Sequence, residues 1–322
     1  MQFTASSADL LDALRTVQGA VPSKSTLPIL ECILFERDGD VLQLTATDLE
    51  ISLVQRAKVQ YESVEGEGEG FPVAVPAKRL VDTLRALPDV PVTFSCDEEF
   101  NVSLDTDQGH YKMVGEDGED YPDLPTFEDE HQITIEGPLL QRAIDKTSFA
   151  VSNDALRPAM MGIYFELGED RSRAVATDGH RLVKLTHEGI TSSEPLDLIV
   201  PEKAVSLASR VAGEADSTIT VGEGYARFDF GSTRVFARMI DETYPNYEAV
   251  IPDENDKEMV VNAESMLAAV KRVALYSSNM THQVRLEVRP GEVEVSAEDI
   301  ERSSRANEVV LCDYDDEELE NG

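Results

Sequence analysis

QFTASSADLLDALRTV at residues 2–17 reads as a short alternating strand followed by an amphipathic helix, and the chain repeats that pattern twice. QITIEGPLLQRAIDKT occupies 132–147 and EMVVNAESMLAAVKRV occupies 258–273. A second landmark recurs inside each copy: LTATDLEIS at 44–52, AVATDGHRLV at 174–183 and VEVSAEDIERS at 293–303. Each sets a strand before a turn of small and acidic residues, with Asp48, Asp178 and Asp299 in equivalent places. Matched landmarks in a constant order predict tandem repeats, whereas one irregular domain predicts none.

Two further landmarks extend the repeat. FPVAVPAKRLVDTLRAL at 71–87 and LDLIVPEKAVSLASRV at 196–211 both run from a strand through Val-Pro into a helix. The proline is expected in the helix's first turn, where its missing N–H would have had no partner. EDYPDLP at 119–125 and ETYPNYEAVIP at 242–252 close the first two units, and the third ends before a counterpart of either. Each full unit therefore reads as an α+β domain: strand, helix, strand meander, second helix, more strands. The expected domains are 1–126, 127–253 and 254–322, the third incomplete.

The 322 residues include 41% hydrophobic ones, enough for sizeable cores and against wholesale disorder. No stretch reaches the roughly 18 uninterrupted apolar residues of a membrane span. The opening residues lack the basic-then-apolar layout of a signal peptide, so a cytoplasmic protein without membrane partners is expected. Cys32, Cys96 and Cys312 lie far apart with no CxxC pair, which argues against a zinc ribbon or a disulfide framework. No cofactor or metal is expected.

Charge is the unusual quantity. Asp and Glu total 63 against 28 Lys and Arg, a net of −35. Such a chain repels itself and ordinarily repels nucleic acid. The acidity fits a halophilic-type surface in a salt-rich cytoplasm, where the Debye length falls to about 3 Å at 1 M. An acidic tail is the alternative, but only DYDDEELENG at 313–322 qualifies.

The basic residues are not spread evenly. Five segments read as helices, 7–17, 76–87, 137–147, 201–211 and 263–274, and they hold ten basic residues against six acids. The rest of the chain holds 18 against 57. Helix C-termini attract cations in any protein, which covers Arg15, Lys146, Arg210, Lys271 and Arg272. It does not cover Lys78 and Arg79, which fall in a first turn where positive charge is unfavourable. Repeats that turned such helices toward one axis would make a mildly positive bore, suited to duplex DNA by sequence-independent electrostatics.

TLPIL at 26–30, TDLE at 47–50, VPAKRL at 75–80, ATDGHRL at 176–182 and YPNY at 244–247 complete the pattern. Along nearly its whole length the chain resembles the bacterial sliding clamps, the beta subunits of DNA polymerase III. The resemblance implies a non-enzymatic processivity factor: a head-to-tail homodimer ring, helices inside and antiparallel sheets outside. It implies loading by an ATP-driven clamp loader, and polymerase and loader subunits docking through short peptides. The positions it implies for the peptide groove are Met160, Thr177, Gly179, His180, Arg181, Leu182, Pro245 and Val250. Those it implies facing double-stranded DNA are Lys24, Lys78, Arg79, Arg85, Arg142, Arg157, Lys203 and Arg210. At the subunit seam it implies Tyr111 opposite Leu275 and Tyr276. Ala249 and Glu202 stand where the family commonly carries basic residues.

Competing chemistry finds little support. Asp178 and His180 are close enough in sequence for acid–base work, but the equivalent Asp48 and Asp299 lack the histidine, which points to a turn-capping aspartate. There is no GxSxG elbow, and His110, His131, His187 and His282 show no metal spacing. GEGEG at 66–70 lacks the Lys and Ser/Thr of a phosphate loop and reads as a hairpin turn. A scaffold that keeps the groove without closing a ring is the rival reading. The retained basic helices and seam residues favour the clamp.

Overall fold

A computed structural model describes residues 1–61, 71–127, 131–213 and 216–321, so the expected GEGEG turn lies outside the described residues. The chain divides into two compact units, Met1–Pro245 and Asn246–Gly322.

The first unit holds two repeats. The first runs β1 (Gln2–Ser6), α1 (Ser7–Gln18), β2 (Cys32–Asp38), β3 (Val41–Thr47), β4 (Ile51–Lys58) and β5 (Gln60–Tyr61). It continues through β6 (Val73–Pro76), α2 (Ala77–Ala86), β7 (Pro91–Cys96), β8 (Asn101–Asp105), β9 (His110–Val114) and β10 (Glu116–Asp117). The second comprises β11 (His131–Glu136), α3 (Gly137–Thr147), β12 (Gly162–Leu167), β13 (Ser172–Thr177) and β14 (Leu182–His187). It ends with β15 (Leu196–Pro201), α4 (Glu202–Val211), β16 (Asp216–Val221), β17 (Tyr225–Phe230) and β18 (Thr233–Arg238). The five expected helices are all present, each end within one residue of its reading. Proline is the exception. Pro76 and Pro201 do not enter the first turn but end their strands as N-cap residues, one position earlier than expected.

Local chemistry explains the helices. Ser6 caps α1 by accepting from the amides of Ala8 (3.2 Å) and Asp9 (3.4 Å), a cap worth about 1 kcal/mol. Leu10, Leu14 and Val17 then recur at helical spacing and are buried. In α2 the buried stripe is Ala77, Leu80, Val81 and Leu84, which leaves Lys78, Arg79 and Arg85 in solvent.

Every described strand pairing in this unit is antiparallel, in sheets ordered β5-β1-β7-β8-β9, β10-β6-β2-β3-β4-β18-β17-β16-β11 and β14-β13-β12-β15. The nine-stranded sheet joins the two repeats, with β4 against β18 from Ile51↔Ala237 to Gln55↔Thr233. Gly19 completes that joint, because a Cβ there would lie 2.4 Å from Leu207 Cδ2. One apolar core runs through both repeats, and Phe94 stacks on Phe3 and Phe35 at centroid distances of 4.8 and 5.1 Å.

The second unit contains β19 (Val260–Val261), α5 (Ala263–Val273), β20 (Arg285–Arg289), β21 (Glu292–Asp299), β22 (Ser304–Asp313) and β23 (Leu319–Asn321). Its sheet order is β19-β22-β21-β20-β23. Asn262 caps α5 through the Ser265 amide at 2.9 Å. The core is small, built from Ala269, Val273, Val288, Val293, Val295 and Val310 among its buried members. Val309 and Leu311 alternate with Val310 and stay exposed.

Candidate functional site

The turn between β13 and β14 holds most of the groove positions. Thr177 Oγ1 donates to the Arg181 carbonyl at 2.7 Å and accepts from the Gly179 amide at 3.1 Å. Asp178 Oδ1 accepts from the amides of His180 (2.9 Å) and Arg181 (3.0 Å), and its other oxygen meets Arg181 Nε at 3.0 Å. Those two amides, with the Arg181 side chain, hold the carboxyl down at about 2. Asp178 is thus the turn cap anticipated from its repeat equivalents. Its carboxylate is an acceptor of fixed amides.

Gly179 sits at φ +89°, a left-handed conformation that favours glycine. A Cβ there would also lie 2.6 Å from Arg157 Nη1. His180 and Arg181 project into solvent, while Thr177 is buried and Leu182 half-buried at the head of β14, an edge strand. Met160 lies in a 3₁₀ turn, Pro158–Met161, and its carbonyl accepts from the Ser152 amide at 2.9 Å. Pro245 follows Tyr244, whose ring stacks on Tyr164 of β12 at 4.7 Å. The first unit thereby holds seven of the eight groove positions. Val250 belongs to the second unit, where it is 69% exposed in a 3₁₀ turn, Glu248–Val250.

Phe149 and Leu156 escaped the sequence reading. The Arg181 guanidinium lies 5.6 Å from the Phe149 ring, which is exposed, as is Leu156. Arg157, expected to face DNA, donates from Nη1 to the Asp178 carbonyl and from Nε to Asp154 Oδ2, both at 3.0 Å. Phe149 and Leu156 had a signal, since both are large apolar residues beyond the end of the amphipathic stripe. The bond from Arg157 to the Asp178 carbonyl had none.

The other cations separate into two groups. Lys203 at the start of α4 pairs with Asp48 of the first repeat, and Arg85 pairs with Asp82 at 3.0 Å. Lys24, Lys78, Arg79, Arg142 and Arg210 are exposed and make no ion pair with a described residue. Lys78 and Arg79 also line an open cleft of about 880 Å³ with Thr83, Leu87 and Tyr111, bringing expected DNA contacts beside an expected seam residue. In the second unit Leu275 and Tyr276 are 82% and 45% exposed. No described helix is long and apolar enough to cross a membrane. Among the described residues no cluster of three His, Cys, Asp or Glu side chains is placed to hold a metal.

Comparison with known proteins gives one family. Models of the DNA polymerase III beta subunit match in three parts: the N-terminal domain over 1–125, the central domain over 134–246 and the C-terminal domain over 248–322. The beta sliding clamp of Caulobacter vibrioides is 32% identical across all of this chain and 87% of its own length. That of Pseudomonas putida is 28% identical over the same shares. A Pseudomonas aeruginosa sliding clamp bound to griselimycin superposes with TM-score 0.91 at 30% identity, covering 99% of this chain and 86% of that one. A C. crescentus clamp with polyethylene glycol at a candidate beta-motif tethering region gives 0.89 at 31% identity, with the same coverage.

Proposed function

Because this chain belongs to the DNA polymerase III beta subunit family, the bacterial sliding clamps, we propose that it encircles duplex DNA as a processivity factor and tethers the replicative polymerase. One observation carries the reading: three successive domain models of that family match in order along the chain. The role is mechanical, with no catalytic step. Two subunits close the ring head to tail, Tyr111 of one meeting the partner's Leu275 and the partner's Tyr276. An ATP-driven loader opens it in the cytoplasm. Loader, polymerase and repair proteins dock through short peptides whose apolar anchors enter the groove of Met160, Thr177, Gly179, His180, Arg181, Leu182 and Pro245 in the first unit.

Lys24, Lys78, Arg79, Arg142 and Arg210 are the cations with no described ion pair to give up for phosphate, whereas Lys203 and Arg85 are paired with Asp48 and Asp82. Five contacts of this kind on each of two subunits give a salt slope of about −9 in log K against log salt. Simple affinity would then fail in a salt-loaded cytoplasm, and a net charge of −35 makes it weaker still. A closed ring does not depend on affinity.

The test is retention of loaded protein on circular and on linearised DNA in molar KCl. Persistence on the circle with loss from the linear form supports topological capture. Equal loss from both sinks it.

A further inference from the structure

We propose that Arg157 is a positioning residue of the peptide groove, a role that rests on the groove reading above. The groove has two walls in the first unit. One is the 152–161 loop, which carries Met160; the other is the 177–182 turn, which carries Thr177, Gly179, His180, Arg181 and Leu182. Arg157 fastens one to the other. Its backbone is braced inside the loop, its amide donating to the Asp154 carbonyl at 2.9 Å and its carbonyl accepting from Met160 at 3.0 Å. Its guanidinium is aimed by Asp154, through Nε, so that Nη1 reaches the Asp178 carbonyl across the gap. A planar fork suits this task, because one group makes two fixed bonds in different directions.

The first repeat shows what the fastening replaces. Pro28–Glu31 and Pro158–Met161 are equivalent 3₁₀ turns, so Leu27 holds the place of Arg157. There the 47–52 turn is held by the neighbouring repeat, through Lys203 on Asp48 and the β4–β18 ladder. Among the described residues of its own unit no second strand pairs with β14, which ends its sheet. Arg157 supplies locally the constraint that the neighbour supplies in the first repeat. Phosphate binding is the competing use. These two bonds engage two of the five guanidinium N–H donors, so the salt slope of duplex binding has to decide between the two uses.

The experiment compares full-length wild type with Arg157→Leu and Arg157→Lys. Three quantities are read: affinity for a fluorescent hexapeptide with leucine and phenylalanine anchors, the salt slope of duplex binding, and amide hydrogen exchange without peptide. Arg157→Leu is expected to weaken the peptide about tenfold and Arg157→Lys about threefold, since an ammonium replaces only part of the fork. Exchange at Gly179, His180 and Arg181 should rise at least threefold, with no change at Leu49, Glu50 and Ile51 or in the salt slope. Weaker peptide binding with unaltered exchange would make Arg157 a direct contact and overturn the positioning role. A slope reduced by about two, one for each subunit, with peptide affinity intact, would make it a phosphate contact and overturn it too. His180→Ala and Leu182→Ala test the groove itself: if neither weakens the peptide, the groove reading fails whatever Arg157 does.

Discussion

The turns at 47–52 and 177–182 share one hydrogen-bond pattern and lead into different environments. Thr47 Oγ1 donates to the Ile51 carbonyl and accepts from the Leu49 amide, as Thr177 does with Arg181 and Gly179. Asp48 accepts from the amides of Glu50 and Ile51, as Asp178 does from His180 and Arg181. The strands that follow diverge. β4 lies inside a nine-stranded sheet, and its residues Ile51–Val54 are all buried. β14 is an edge, and none of its six residues is buried. The turn is therefore a shared chassis, and within the first unit only its 47–52 copy leads into a strand with a partner on both sides.

Truncating equivalent positions on the two strands should separate them most strongly. Leu53 in β4 is fully buried, whereas Val183, its equivalent in β14, is only half-buried. Leu53→Ala should cost about 2–5 kcal/mol through lost burial and a residual cavity. Val183→Ala should cost less than about 1 kcal/mol, because a half-buried side chain leaves no closed cavity. Urea unfolding of the full chain reads both. Equal losses would mean that β14 is covered as well as β4, and the contrast between joint and open edge would collapse.

A smaller effect comes from exchanging the residues at the turns' left-handed positions. Leu49 has φ +75° and Gly179 φ +89°, so the joint tolerates a side chain where the open turn has none. A left-handed conformation costs a residue with a Cβ about 1–2 kcal/mol. Leu49→Gly should relieve that strain and lose little packing, as Leu49 is 48% exposed. After the entropy of glycine is subtracted, stability rises by up to about 1 kcal/mol. Gly179→Leu should cost about 2 kcal/mol, because it adds the strain and drives a Cβ into Arg157. If both changes proved neutral in thermal unfolding, the turns would be softer than their matched hydrogen bonds imply.

The same comparison shows where sequence reading succeeds and stops. Helical periodicity gave α1 to α5, and the recurring Asp48, Asp178 and Asp299 gave the turns, because such signals are local and repeat within a few residues. Asp299 keeps part of the pattern, accepting from the Arg302 amide at 3.1 Å. The β4–β18 ladder was invisible. Its partners are about 180 residues apart, and either strand alone reads as an ordinary buried one. The capture of Lys203 by Asp48 was missed for the same reason, so a lysine at a helix start read as free for phosphate. The bond from Arg157 to the Asp178 carbonyl gave no signal, because a cation on a polar loop has the same composition whether it meets DNA or a backbone carbonyl. Residue type limits the possible chemistry, and only the fold selects the partner.

Lys203 supplies the smallest and sharpest test of that selection. Its side chain is 51% exposed and that of Asp48 18%, so the pair is partly screened and Lys203→Gln should cost less than about 1 kcal/mol in dilute salt. At molar KCl the Debye length is about 3 Å and the cost should fall toward zero. The informative reading is against Arg142→Gln, since Arg142 makes no ion pair with a described residue. Removing Arg142 from both subunits should reduce the salt slope of duplex binding by about two, while removing Lys203 should leave it nearly unchanged. Stability should respond the other way round, with only the Lys203 variant losing any in dilute salt. If Lys203→Gln lowered the slope as much as Arg142→Gln, the ammonium would be leaving Asp48 for phosphate, and the joint between the repeats would itself be part of the DNA surface.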